Sequence, residues 1–111
     1  MYPKKKMMIV GSHTIAEPDR RVKLMISKLC GEGWHILVGD HSGLDAALQE
    51  YLRDMHTDWV RVYTARPRPQ HNLDGWPVRR PPREGRWGGA PRHLQNTLAM
   101  TAAADCGMAL W

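Results

Sequence analysis

The stretch His35-Ile36-Leu37-Val38-Gly39-Asp40-His41-Ser42-Gly43-Leu44-Asp45 decides the fold class. Its first four residues are short, branched and apolar, the signature of a buried strand. From Leu44 to Met55 the spacing changes: Leu44, Ala47, Leu48, Tyr51, Leu52 and Met55 fall on one helical face. Gly39 to Gly43 therefore occupy a strand-to-helix turn. Backbone N–H groups at such a turn lack partners and the helix dipole points outward, so the turn suits phosphate or another anion. Gly43 permits close backbone approach. Asp45, in the first helical turn, could hydrogen-bond a sugar hydroxyl or cap the helix.

Outward from this unit the alternation continues. Met7 to Ser12 reads as a first strand that includes Gly11, and Asp19 to Cys30 as a helix with Val22, Met25, Ile26 and Leu29 on one face. Gly31 and Gly33 are expected to terminate that helix. Val60 to Thr64 reads as a third strand, Pro91 to Ala104 as a third helix and Cys106 to Trp111 as a last strand. Residues 66–90 lack periodicity and are crowded with Pro, Arg, Gly and Trp, which predicts a long loop. Strands alternating with helices predict a three-layer α/β sandwich with a short, mainly parallel sheet and right-handed crossovers. Ligands of such sheets bind beyond the carboxyl ends of the strands, near the switch in strand order. Gly11-Ser12-His13, Gly39 to Asp45 and the start of the long loop would meet at that edge.

At 111 residues the chain makes one domain, residues 1–111, with room for a core. No apolar run reaches the length of a membrane span and no secretory pattern opens the chain, so no membrane is expected and the cytoplasm is the expected compartment. Cys30 and Cys106 show no ligand spacing and are read as buried free thiols. The net charge of +5 is local. Residues 66–92 hold seven arginines (66, 68, 79, 80, 83, 86 and 92) against Asp74 and Glu84, and the rest of the chain balances. Trp76 and Trp87 interleave with these arginines, a pattern that suits stacking on bases and contact with phosphates, or a lid or subunit contact.

The chemistry-bearing residues divide by strength of signal. No second glycine follows Gly11 at dinucleotide-fingerprint spacing, and there is no Gly-Lys-Ser/Thr loop, so no cofactor is predicted. The six histidines show no zinc spacing, and no metal is expected. His13 and His41 lie on the candidate ligand loops, where a histidine can donate a hydrogen bond or act as an acid. Ser12 and Ser42 are loop hydroxyls without a nucleophile elbow. Asp40 and Asp45 are the carboxyl groups at the ligand edge suited to glycosidic chemistry, although helix capping explains them equally.

Together these segments resemble the SLOG superfamily of Rossmann-like proteins, akin to the LOG phosphoribohydrolases and the DNA-processing Smf/DprA proteins, and most nearly its YpsA/YspA-related branch. The resemblance rests on Gly11-Ser12-His13 after the first strand, Gly43-Leu44-Asp45 after the second, and the Ala104-Asp105 step before a last strand ending at Trp111. It covers most of the chain outside residues 66–90. His13 stands where the family has arginine, and Asp40 where it has a second glycine. The family also continues past this tryptophan with a Gly-x-Ser-x-Gly-Thr loop and a helix, whereas this chain ends at Trp111, as a minimal version or a fragment would.

The resemblance implies a Rossmann-like fold that binds a nucleotide or nucleotide-derived ligand. Gly11, Ser12, His13, Gly39, Ser42 and Gly43 would form the cradle, with Arg92 and Asn96 contributing from the third helix. Asp45, with Asp40 beside it, would face the ribose or orient water if an N-glycosidic bond is cleaved or transferred. A nucleic-acid-binding module using residues 66–92 and a ligand-free oligomeric scaffold are the alternatives. The terminal apolar strand also predicts a homo-oligomer.

Overall fold

The computed structural model describes residues 5–11, 17–40, 43–64, 72–80 and 99–110. The chain runs β1 (Lys6–Gly11), α1 (Arg20–Gly31), β2 (His35–Gly39), α2 (Leu44–Asp54), β3 (Val60–Tyr63), β4 (Val78–Arg79) and β5 (Cys106–Leu110), and residues 99–103 are also helical. The strands form one sheet in the order β4-β3-β2-β1-β5, and every pair is parallel. This is the expected α/β arrangement of a Rossmann-like sandwich. β2 is buried on both faces, as its unbroken apolar run requires.

Two core clusters define the layers. Met7, Ile9, Ile36, Val38, Val60 and Val62 point to the face that packs on Ile26 of α1 and on Leu44, Leu48 and Leu52 of α2. Met8, Leu37 and Tyr63 point the other way, onto Ala99 and Met100. Steps from β1 to β2 and from β2 to β3 share a direction, so right-handed crossovers put α1 and α2 on one face. The step to β5 reverses direction and puts helix 99–103 on the other.

Local chemistry sets the helix limits. The Asp19 carboxylate accepts from the Arg21 amide at 2.8 Å and caps α1. At its far end the Gly33 amide donates to Cys30 O and the Trp34 amide to Leu29 O, both at 3.1 Å, with Gly33 at φ 83°. Gly33 is therefore the terminating glycine, and Gly31 is the last helical residue. α2 ends the same way, but His56 occupies the left-handed position, at φ 55°.

Four expectations change. Met25 is 54% exposed; the stripe of α1 that packs on the core runs through Val22, Leu29 and Cys30 around the fully buried Ile26. Cys106, read as buried, is exposed on the edge strand β5, and Cys30 is half-buried; both thiols are free. The stretch 66–90, read as loop, contains β4, whose two residues gave no periodicity to detect. Trp76, read as an arm residue, is a core residue at 5% exposure. A parallel neighbour for β3 needs a crossover connection, and Trp76 within it fills the face that α1 and α2 cover elsewhere. Its Nε1–H donates to Thr57 O at 2.9 Å. The Asn72 side chain brackets its backbone, donating to Trp76 O at 2.9 Å and accepting from Trp76 N at 3.0 Å. Trp87, most of the third helix (91–98) and Trp111 lie outside the described residues. No helix among the described residues is long and apolar enough to cross a membrane.

Candidate functional site

β1 lies between β2 and β5, so the chain switches direction there and the carboxyl ends of β1, β2 and β5 border the crevice where such sheets take ligands. Gly11 ends β1 and Gly39 ends β2; Asp40 follows directly, and Gly43 precedes α2. The structure thus brings Gly11, Gly39, Asp40, Gly43 and Asp45 to one edge. Ser12, His13, His41, Ser42, Arg92 and Asn96 lie outside the described residues.

Each residue at the edge has a physical role. Gly43 sits at φ 79°, ψ −125°, a conformation open to glycine alone at little cost, and it leaves α2 without a side-chain cap. The first intrahelical bond is the Ala47 amide to Gly43 O at 3.0 Å. Amides of the first turn before Ala47 have no intrahelical carbonyl, and helix geometry aims them at the carboxyl edge. Asp45 folds back over β2: a Cβ added at Gly39 would stand 2.5 Å from Asp45 Oδ2. Gly39 therefore makes room for a carboxyl group at the mouth of the turn. Gly11 is needed for packing, since a Cβ there would strike Leu110 O and Leu44 Cδ2. Its absence lets the end of β5 and the first turn of α2 close on β1.

The edge also gathers buried polarity, at Asp40, which the sequence singled out, and at Gln49 and Thr64, which it did not. Among the described residues the buried polar side chains are Asp40, Gln49, Thr57 and Thr64. Asp40 and Thr64 directly follow β2 and β3 at this edge, and Gln49 reaches it from α2. Gln49 is fully buried. Its Nε2 donates to Gly39 O at 2.9 Å, and its Oε1 accepts from the Leu73 amide at 3.1 Å. One side chain thus ties the end of β2 to the crossover that carries Trp76. The signal was a polar residue beside Leu48 on an otherwise apolar helix face, a place where an amide is retained when it satisfies backbone groups. The Thr64 amide donates to Arg79 O at 3.0 Å and draws β4 alongside. Burial pushes the Tyr63 hydroxyl pKa up, and the Arg79 and Arg61 guanidinium groups hold it back in part.

Among the described residues, clefts also open away from this edge. One of about 490 Å³ opens at the amino edge between Cys30, Met55, His56 and Trp59. Burial raises the Cys30 thiol there, and a hydrogen bond with Thr57 partly offsets the rise. Another, about 300 Å³, lies between α1 and α2, where Lys23 pairs with Glu17 and its ammonium sits 5.6 Å over the Tyr51 ring. Neither includes a residue expected to cradle a ligand. Among the described residues no three His, Cys, Asp or Glu side chains gather as a metal ion would need. Comparison with protein-family models, curated proteins and solved structures returned no match to this chain.

Proposed function

We propose that the protein binds a nucleotide or nucleotide-derived small molecule at the carboxyl edge of its sheet. The observation that carries this reading is the glycine-led start of α2 with the Asp45 carboxyl folded beside it, at the switch in strand order. The amides of a helix N-terminus suit a phosphate, and a carboxyl group beside them suits a ribose hydroxyl, the two ends of one ligand. The resemblance to the SLOG superfamily supports the same assignment. Asp45 is half-buried and placed to meet the ligand; Asp40, at 1% exposure, is the less accessible of the two. If the ligand is turned over, a carboxylate at this position favours cleavage or transfer at the N-glycosidic carbon, where positive charge develops.

Calorimetry with AMP, ADP, ATP, GMP and NAD tests the binding. At least one should bind, and Asp45→Asn should weaken it about tenfold, the cost of one hydrogen bond to a charged group. A wild-type protein that binds none of the five overturns the reading, as does an unchanged affinity in Asp45→Asn.

A further inference from the structure

Helices α1 and α2 both start at the carboxyl edge of the sheet, so both end at the amino edge, and the cleft of about 490 Å³ lies where they end. Cys30 and Gly31 come from the last turn of α1 and Met55 from the cap of α2, while Asp58 and Trp59 lead into β3. The volume falls in the range of about 300–1,000 Å³ usual for small-molecule sites.

Its surroundings are negative in a chain whose net charge is +5. The carbonyl ends of two helix dipoles converge on it. The Asp58 carboxylate lines it, and no lysine or arginine does. The cations nearest in sequence are turned or engaged elsewhere. Lys28 stands about 160° round α1 from Cys30, and Arg53 pairs with Asp54 at 3.6 Å. Lys5 lies over the Trp34 ring at 5.6 Å, and Arg61 Nη1 donates to Val60 O at 2.9 Å. Glu32, the C-cap of α1, adds a carboxylate at the same end.

The walls are fixed in place. The Thr57 amide donates to Leu52 O at 3.2 Å, Thr57 O accepts from Trp76 Nε1 at 2.9 Å, and a hydrogen bond joins Thr57 to the Cys30 thiol. The Trp59 ring is stacked on His35, with centroids 5.2 Å apart and planes 3° from parallel, yet the residue stays 46% exposed.

We propose that this cleft binds a small organic amine. Its ammonium group lies between the helix ends and donates to Asp58, and its apolar body rests on Trp59 and Met55. An anion would meet two helix carboxyl ends and a carboxylate. The cleft between α1 and α2 shows the same chemistry already satisfied: there Lys23 supplies the ammonium, paired with Glu17 and held over the Tyr51 ring. The amino-edge cleft offers carboxylate and ring without a lysine of its own.

Tyramine is the probe, and para-ethylphenol, with the same ring and no ammonium group, is the control. In a two-dimensional NMR titration tyramine should shift the Gly31, Asp58 and Trp59 amides with a Kd of about 1 mM, ordinary for so small a ligand. Para-ethylphenol should bind at least about tenfold more weakly. Asp58→Asn, at an exposed position, should weaken tyramine about tenfold with unchanged circular dichroism, and Glu50→Gln should have no effect. No saturable shift at those amides up to about 10 mM tyramine overturns the inference. So does equal binding of para-ethylphenol, an unchanged affinity in Asp58→Asn, or a loss in Glu50→Gln, which would place the amine between α1 and α2. The cleft lies at the edge opposite the one proposed for the nucleotide and none of these readouts involves a nucleotide, so the two readings can fail separately.

Discussion

Replacing Gln49 by leucine would remove a side chain that links β2 to the crossover behind it. The two residues have similar volumes and the site is fully buried, so packing is nearly conserved while two backbone groups lose their partners. Gly39 O would lose its donor at 2.9 Å and Leu73 N–H its acceptor at 3.1 Å. An orphaned buried polar group costs about 1–3 kcal/mol. A leucine in the same place returns about 1–2 kcal/mol through its apolar surface. The Gly39 carbonyl is buried and bears the full penalty, whereas the Leu73 amide is only part-buried and water offsets much of its loss, so the expected net loss is about 1–2 kcal/mol, still a sizeable part of the roughly 5–15 kcal/mol that stabilises a domain. Urea denaturation followed by circular dichroism should show a lower midpoint with an unchanged slope. Hydrogen exchange should show the loss concentrated at the Leu73 amide, ahead of the sheet amides. A loss under about 0.5 kcal/mol with the Leu73 amide still protected would refute the reasoning, because it would mean that neither backbone group depends on Gln49.

Two further outcomes follow from features described above. His56 holds the left-handed position that ends α2, where a side chain costs about 1 kcal/mol relative to glycine. His56→Gly should therefore raise the thermal midpoint, and a lower midpoint would show that the imidazole makes compensating contacts. In the folded protein the Cys30 thiol is raised above its ordinary value of 9.0 and the Tyr63 hydroxyl above 10.0, both chiefly by burial. The unfolded chain gives up these protons first, so stability from these groups is intact below pH 9 and falls as pH rises past it. Urea midpoints measured upward from neutral pH should decline in the alkaline range, with Cys30→Ala removing the earlier part of the decline. A midpoint that held steady would contradict the burial of both groups.

Local periodicity was enough to read α1, α2 and the strands β1, β2, β3 and β5 from sequence, because each buries a repeating face and the repeat is written within a few residues. The strand-to-helix turn at Gly39–Asp45 was legible for the same reason, and with it the carboxyl edge of the sheet at which Gly11, Gly39 and Gly43 gather. The alternation of strand and helix also gave the parallel direction of the sheet, but the strand order and the placement of helix 99–103 opposite α1 and α2 belong to contacts between distant residues, which no local pattern records. Gln49 stands beside Leu48 in sequence, but only the fold brings Gly39 and Leu73 to either side of it. Trp76 sat among arginines in sequence, and only the crossover from β3 to β4 carries it into the core beside Thr57. Met25 fits the helical stripe of α1 on paper and stands exposed in the fold, since the sheet, and not the spacing, selects which flank is covered. The sequence by itself determined the longer helices and strands and the glycine-bearing turn between β2 and α2. The tertiary structure alone decided which polar groups are buried there, because burial depends on what packs against a residue from elsewhere in the chain.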